Sequence, residues 1–467
     1  MFINLTNIDF CPGSGGGSAN LQEDKSVTYT SNGNYTINPD EGYDGLSSVG
    51  VTVNYDGTDY RNQTGTVDFD GLRAIGWDET SINYFNTNAL HYPWENDAYK
   101  VTDGNKALYG VVNKDNVRNY SSNTDFIFCP YFDTAGETSM KYKFNYFYSL
   151  KSIPLLDTSN VTDMDWMLYG CSKLQNIPKL DTSSVLTMRC IFRGCTSLQS
   201  IPLLDTSSVT DMYQMFCECS KLLTIPKLDT SNVTSMEYMF SSCPSLQSVP
   251  LLNTSKVTNM REIFSNCSSL KYISPLDTSK VTNMNRMFNS CKVLNSIPLL
   301  DTSKVTDMNS MFYFCGELQS IPQLNTSNVT DMGSMFYFDN SLQTIPKLDT
   351  SKVTNMYYMF YYCSSLTTIE ELDMSSVTNI AGMFGSCEKL SYIRLKGSLN
   401  VGLDISATSN LDYDSVKSIL TAASNTVNTD SKTLSFNSTL TDQNGELAGL
   451  VSTCTSKGWT INGLTLN

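Results

Sequence analysis

Acidic side chains recur through the middle of this sequence at a constant spacing of 24 residues. If each repeat forms one layer of a stack, successive layers lie about 5 Å apart, and carboxylates in one column could hold calcium ions. The same column also contains Asn253 and Asn325, so it tolerates loss of the charge. The Thr-Ser pair that follows is typical of an Asx-turn. We therefore favour backbone capping over calcium for this column, which contains Asp157, Asp181, Asp205, Asp229, Asp277, Asp301, Asp349 and Asp373.

Cysteine fills a second column of the same spacing, and Asp339 takes the one missing place. A disulfide framework would join different positions of a repeat, whereas one residue type at one position indicates a packing ladder. Cysteine is a small side chain that is readily buried. We expect reduced, buried thiols, with metal binding or disulfides as the less favoured alternative. The column consists of Cys171, Cys195, Cys219, Cys243, Cys267, Cys291, Cys315, Cys363 and Cys387.

Catalytic motifs are not evident in the sequence. The single histidine, His91, has no Ser or Cys pattern around it that would indicate a triad. The glycine-rich segment "GSGGGS" lacks the lysine of a phosphate-binding loop. We expect a protein that is not an enzyme and that uses no cofactor and no metal. A glycan hydrolase with carboxylates on the repeat surface is the weaker alternative.

The elements that must position these columns follow from the apolar spacing. Met164, Met167, Leu168 and Cys171 lie at i, i+3, i+4 and i+7, which predicts one face of a short helix. Leu174, Ile177 and Leu180 continue in an extended arc. Ten copies are clear from about residue 153, and a degenerate copy at 129–150 is expected to cap them. One copy cannot bury its apolar side chains alone, so the copies are expected to stack as a solenoid.

Proline follows the isoleucine of most copies, for example Pro178 after Ile177. Proline cannot donate a hydrogen bond to a strand ladder. Any sheet along this side of the solenoid should therefore be short and narrow.

The repeated phrase D-T-S-x-V-T-x-M-x-x-M-F-x-x-C-x-x-L-x-x-I-P resembles the bacterial surface-protein repeat related to BspA-type leucine-rich repeats, over residues 126–397. The resemblance implies a curved solenoid that binds other molecules and lacks catalysis. The predicted fold class is an α/β repeat, a leucine-rich-repeat-like solenoid of 24-residue coils with a short strand and a short helix each. A small N-terminal β module and an α/β C-terminal cap are expected to flank it.

The two ends of the chain do not share the 24-residue repeat. We divide them into a peptide and Gly-rich linker (1–20), a small β module (21–60) with three strands expected within 26–54, an α/β connecting segment (61–125) and a C-terminal capping domain (398–467). The stretch "PDEGYDGLSSVGVTVN" resembles a β module of tail and fibre proteins of gut bacteriophages, including crAss-like phages. That resemblance implies a bacteriophage setting.

A candidate binding surface emerges from the columns that vary between copies. Two variable columns follow the methionine and the phenylalanine of each predicted helix, and in three successive copies they become aromatic. Exposed rings in series suit a sugar or a protein partner, although some rings could instead pack between helices. This aromatic stripe consists of Tyr313, Phe314, Tyr337, Phe338, Tyr357, Tyr358, Tyr361 and Tyr362.

Charge and composition limit the classes of partner that the protein is expected to bind. A net charge of −15 opposes binding to the phosphate backbone of nucleic acids, and no apolar run approaches the length of a membrane span. The N-terminus lacks the pattern of a secretory signal. We expect a virion protein of a bacteriophage, made in the host cytoplasm. Its N-terminal region would contact other virion proteins, and its solenoid a host surface protein or glycan, with a homo-oligomer as one option. A bacterial cell-surface leucine-rich-repeat adhesin is the alternative.

Overall fold

The computed structural model of the chain describes residues 134–467, except 135, 149, 151–152 and 154–155, together with the backbone of four strands nearer the N-terminus. The predictions for the peptide and linker at 1–20, for His91, for a third strand within 26–54 and for helices within 61–125 lie outside the described residues. The chain divides into two compact units, Met1–Ser208 and Val209–Asn467.

The first unit contains two hairpins and the first repeat coils. Strand β1 (Ser26–Tyr29) pairs antiparallel with β2 (Tyr35–Asn38), within the segment predicted as a β module. Strand β3 (Lys100–Asp103) pairs antiparallel with β4 (Lys106–Tyr109). In the degenerate first copy, the Met140 N–H donates to the Asp163 carbonyl at 2.8 Å, so this copy stacks on the coil that follows it.

The expected short helix is wrong for the described coils, which form tight turns instead. In the second unit, the N–H groups of Ser310 and Phe312 donate to the carbonyls of Gly333 and Met335 in the next coil, at 2.8 and 3.0 Å. The N–H of Met311 between them donates back to Met308 at 3.2 Å. An α-helix would keep all of these bonds within its own segment.

Left-handed residues explain why the chain turns rather than coils into a helix. Ser310 and Phe314 have φ angles of 55° and 60°, and the same two columns have positive φ in the other coils. The two left-handed residues of each coil, four positions apart, redirect alternate N–H groups toward the neighbouring coil. The buried side chains still recur at i, i+3, i+4 and i+7, so the apolar pattern fits both conformations.

The interior of the second unit is built from the invariant columns. Val305, Met308, Met311 and Phe312 are fully buried. The rings of the phenylalanine column stack from coil to coil, for example Phe312 on Phe336 with centroids 5.6 Å apart. Because the repeated apolar residues fill the core, the surface is left to repeated polar positions such as Asp301 and to the variable columns.

Paired strands occur where proline is missing from one or both partners. Strand β5 (Ser248–Val249) pairs with β6 (Tyr272–Ile273), and β7 (Thr368–Asp373) pairs with β8 (Tyr392–Lys396), both in parallel. After Ile273, Ile369 and Ile393 the sequence has Ser, Glu and Arg in place of proline. The backbone N–H groups of these residues can donate hydrogen bonds to a neighbouring strand. The paired strands are short, as the sequence predicts.

The C-terminal segment changes architecture. Strand β9 (Leu403–Asp404), helix α1 (Tyr413–Ser424), strand β10 (Thr433–Leu440), helix α2 (Glu446–Ser456) and strand β11 (Thr460–Leu466) follow one another, and the strands form a parallel sheet in the order β11-β10-β9. Asp412 caps α1 by accepting the Ser415 N–H at 2.7 Å. Within the described residues, no helix is long and apolar enough to cross a membrane.

Candidate binding surface

The acidic column forms the capping turns that its composition predicts. The Asp157 carboxylate accepts the N–H of Ser159 at 3.1 Å and its hydroxyl at 2.7 Å. These bonds lower the pKa of Asp157. Asn325 accepts the same two bonds from Ser327, so the turn does not need a charge. The described part of the chain contains no group of three or more His, Cys, Asp or Glu placed to hold a metal ion.

The cysteine column is fully buried, and its thiols act as hydrogen-bond donors. Cys171 donates to the Phe144 carbonyl at 3.1 Å in the first unit, and Cys291 donates to the Phe264 carbonyl at 3.2 Å in the second. All nine members are free thiols. Burial raises the pKa of Cys267 to about 12, which keeps this thiol protonated and unreactive at neutral pH.

Asp339 interrupts this ladder with a buried carboxyl group. Its side chain is fully buried, and one carboxyl oxygen accepts the Cys315 N–H at 2.7 Å. The other oxygen, Oδ2, has no hydrogen-bond partner. Burial raises the pKa of Asp339 well above its usual range, because a charged carboxylate is strongly disfavoured there.

The predicted aromatic stripe lies in the second unit as two ladders of stacked rings. In the first ladder, the centroids of Tyr313 and Tyr337 are 4.6 Å apart and those of Tyr337 and Tyr361 are 5.2 Å apart. The planes of each pair differ by only 4° and 13°. Each ring therefore covers a face of the next ring.

The second ladder runs beside the first. Phe314 stacks on Phe338 at 4.7 Å, and Phe338 stacks on Tyr362 at 4.3 Å. Tyr357 and Tyr358 flank the last coil, with Tyr358 4.8 Å from Tyr361. All eight predicted residues thus form one continuous surface, and none of them is itself buried.

Glycines close the end of this surface. An added Cβ at Gly385 would lie 2.5 Å from the Tyr361 ring, and one at Gly382 would overlap the Tyr358 ring. The last ring faces therefore rest on bare backbone. Where the faces are covered, the stripe presents ring edges and phenol hydroxyls to solvent, and its most exposed rings are Tyr357 and Tyr362, each 39% exposed.

A polar network that the sequence analysis missed lies next to the stripe. The Asp331 carboxylate accepts the side-chain amides of Asn309 and Asn355, each at 3.1 Å, and the Gly333 N–H at 2.8 Å. A Cβ at Gly333 would come within 2.8 Å of both amides. The absence of a side chain at Gly333 thus allows three coils to converge on one carboxylate.

A second group of rings, which the repeat pattern did not predict, lies in the first unit. This aromatic cluster consists of Tyr142, Tyr146, Tyr148, Trp166 and Tyr169. Its centroid distances run from 4.8 Å for Trp166–Tyr169 to 6.1 Å for Tyr142–Trp166. Alignment of the degenerate first copy with the repeat would have placed Tyr142 and Tyr146 in the two left-handed columns, and that is the signal that could have found it.

A groove of about 1140 Å³ on the second unit is the alternative surface. Its lining includes Asp301, Asn325 and Asp349, whose side chains already accept bonds from serines of their own turns. Lys347 and Glu371 pair across it at 3.0 Å. No aromatic side chain lines this groove, so its chemistry differs from that of the stripe.

Comparison with known proteins identifies the repeat. A family described as "Mycoplasma protein of unknown function, DUF285" matches residues 138–251, 246–338 and 294–394. Together these matches span more than half of the chain. No curated protein matches the sequence significantly.

Two similar solved structures are leucine-rich repeat proteins. One, from Eubacterium ventriosum, is 15% identical, with 62% of this chain and 88% of that chain covered and a TM-score of 0.34. The other, from T. pallidum, is 20% identical, with 46% and 76% covered and a TM-score of 0.23.

Proposed function

The chain belongs to the family of Mycoplasma proteins of unknown function, DUF285, and from that premise we propose that it is a non-catalytic attachment protein. Its aromatic stripe binds a protein on a bacterial surface. The single observation that carries this proposal is the geometry of the stripe, in which eight outward-facing rings of three successive coils form one preorganised surface.

Ring stacking favours a protein partner over a sugar. A sugar ring packs against an aromatic face, but the faces within each ladder are covered by rings 4.3–5.2 Å away. Ring edges and phenol hydroxyls are the groups that tyrosine brings to protein interfaces. Because neighbouring rings hold each other in place, little side-chain entropy is lost on binding. The stripe thus has the properties of a central anchor in a protein interface.

We place this attachment protein on a bacteriophage particle. The support is the sequence of residues 39–54, which resembles a β module of phage tail and fibre proteins. In this proposal the N-terminal region contacts other virion proteins and the repeat coils reach the host. A cell-surface adhesin is the second candidate, because the family description refers to a bacterium.

Mass spectrometry of purified phage particles and of washed cell envelopes from the same source culture distinguishes the virion location from the cell-surface location. Peptides from both the stripe coils and the N-terminal region in the particles support the virion role. Their recovery only in the envelopes overturns it in favour of the adhesin.

Attachment itself is tested with fluorescently labelled full-length protein on a panel of gut bacteria. The double variant Tyr357→Asn/Tyr362→Asn removes the two most exposed rings of the stripe. Asparagine already occupies the same columns at Asn309 and Asn266, so the variant should fold. We expect attachment to weaken by about tenfold, the effect of losing one modest interface anchor.

The matched control is Tyr272→Ser, which removes an equally large exposed ring outside the stripe and should leave attachment unchanged. Protease treatment of the cells should abolish attachment, and periodate oxidation of their glycans should not. Full attachment by the double variant contradicts the proposal. Loss of attachment after periodate alone, or no attachment to any strain, contradicts it equally.

A further inference from the structure

We propose that strand β11 pairs antiparallel with β11 of a second copy of the chain, so that two three-stranded sheets join into one sheet across a two-fold axis. Strand β11 lies at one edge of the parallel sheet, and among the described strands only β10 pairs with it. Four features support this pairing. They are the open backbone edge, the lack of charge around it, the residue pattern of the strand and the adjoining side of helix α2.

The outer edge of β11 carries backbone groups that a further strand could use. On the inner side, the N–H groups of Thr460 and Asn467 donate to carbonyls of the neighbouring segment at 3.1 and 2.9 Å. Because backbone groups alternate between the two sides of a strand, those of Ile461 and Leu466 point outward. An exposed row of such groups is a template for pairing with another chain.

Strand β11 lacks most of the devices that protect an exposed edge. Proteins keep edge strands short, or place charges, proline or a bulge on them. The seven residues of β11, "TINGLTL", include no charge and no proline. The strand bends at Gly463, which has a φ of 68°. This bend belongs to the pairing with β10, since an added Cβ at Gly463 would overlap the Phe436 carbonyl.

The segment that contains α2 and β11 is nearly free of charge. Charged residues make up 16% of the chain, yet residues 447–467 contain only Lys457. The ammonium group of Lys457 donates to the Ser424 carbonyl of its own chain. A net charge of −15 makes two copies repel each other, and the repulsion is weakest where a surface carries no carboxylate. Two copies can therefore approach here at little electrostatic cost.

The residue pattern of β11 is self-complementary in one antiparallel register. With the two-fold axis midway between them, Ile461 faces Leu466 of the second copy, and Asn462 faces Thr465. Ile461 and Leu466 are half-buried, whereas Asn462 and Thr465 are exposed. Apolar side chains thus pair with apolar ones and polar with polar, as stable cross-strand pairs require. A shift by one residue would place Ile461 opposite Thr465.

Helix α2 offers a second contact on the same side of the sheet. The Glu446 carboxylate pairs with Lys417 of α1 at 2.6 Å, which marks the side of α2 that faces α1. The 3.6-residue period places Ala448, Val451 and Thr455 on the opposite side. These side chains are uncharged, and Val451 is half-buried. The same two-fold axis would bring this side of α2 toward its counterpart in the second copy.

The test is sedimentation velocity of the full-length protein from about 1 to about 100 μM, where a dimer of modest affinity dissociates on dilution. We expect a monomer–dimer equilibrium. Asn462→Lys/Thr465→Lys places like charges opposite each other in the two copies and should weaken the dimer by about tenfold. Asn462→Glu/Thr465→Lys places opposite charges there and should keep the dimer. Both positions are exposed, so both variants should fold.

The matched control is Asn437→Lys/Thr439→Lys, which adds the same charge at exposed positions of the inner strand β10 and should leave the dimer intact. Hydrogen exchange provides an independent measurement, because the N–H groups of Ile461 and Leu466 should become protected in the dimer. It decides alone if the like-charge variant does not fold.

A monomer at every concentration overturns the proposal, and so does a trimer, which a two-fold axis cannot produce. Equal affinities of the two charged variants of β11, an equal loss in the β10 control, or a dimer in which β11 stays unprotected overturns it as well.

Discussion

Apart from Tyr148, the rings of the two aromatic surfaces lie in the same columns of the repeat and yet differ in geometry. In the stripe, three successive coils carry a ring at the same place, so that Tyr337 lies between Tyr313 and Tyr361 with nearly parallel planes. In the cluster, the column of Tyr146 continues as Gly170, and its ring tilts toward Tyr169 instead. Whether successive coils carry a ring in one column thus decides whether the rings stack in parallel or meet edge to face.

This difference teaches that an aromatic column in a stacked repeat does not by itself predict a sugar site. In a column with a ring in every coil, the rings cover each other's faces and leave a rigid strip of ring edges and phenol hydroxyls. In a column with gaps, the rings meet edge to face, and a cation or glycine backbone lies against them.

The largest expected effect comes from the glycines under the rings. Gly382→Ala should lower the free energy of unfolding by about 2–4 kcal/mol, because the new Cβ overlaps the Tyr358 ring and the position has a positive φ of 66°. Gly170→Ala shares the positive φ, but its Cβ would lie 3.0 Å from the Tyr146 ring. It should therefore cost only about 1 kcal/mol. Urea denaturation measures both.

Equal losses in the two glycine variants would mean that the stripe does not rest on Gly382. The double variant Gly382→Ala/Tyr358→Ser provides a further check. Serine occupies the same column at Ser334 with φ 55°. Removal of the ring should recover the part of the loss that comes from the overlap.

A smaller effect, the pH dependence of stability, should also differ between the stripe and the cluster. Asp339 directly follows Tyr337 and Phe338 of the stripe, whereas Cys171 holds the same column beside the cluster. Burial raises the pKa of Asp339, so the folded state holds a proton that the unfolded state releases above about pH 4. Stability should therefore fall as pH rises toward the folded pKa, by at most about 1.4 kcal/mol per pH unit.

Asp339→Cys restores the residue of the other coils and removes this titration. We expect urea midpoints of the wild type to fall relative to the variant as the pH rises above about 4, the ordinary pKa of an aspartate. Hydrogen exchange should show the loosening in the stripe coils and not in the cluster. Parallel pH profiles of the two proteins would show that Asp339 keeps its ordinary pKa.

The repeat itself was predictable from sequence, and the local conformation was not. The columns around Met164 and Cys171 follow from residue type and period. A helix and a series of four-residue turns both bury i, i+3, i+4 and i+7, so the apolar pattern could not distinguish them. The distinguishing information lies in the bonds between coils, such as Ser310 to Gly333, which no single copy encodes.

The stripe could also be located from sequence, because its rings recur in register. Its stacking could not be predicted, since parallel rings follow only from the side-chain directions of left-handed residues such as Phe314. The cluster escaped detection for a different reason. Its rings are divided between a degenerate copy and the first clear copy, so that Tyr142 and Trp166 do not look like one column in the sequence.

The central claim is that neighbouring coils cover the ring faces of the stripe, so that it binds a protein and not a sugar. Aromatic ¹H–¹³C NMR of the full-length protein, titrated with maltohexaose, cellohexaose, mannohexaose and chitohexaose, tests it most directly. We predict no shifts at Tyr337 or Tyr361. Shifts at these two rings would contradict the claim.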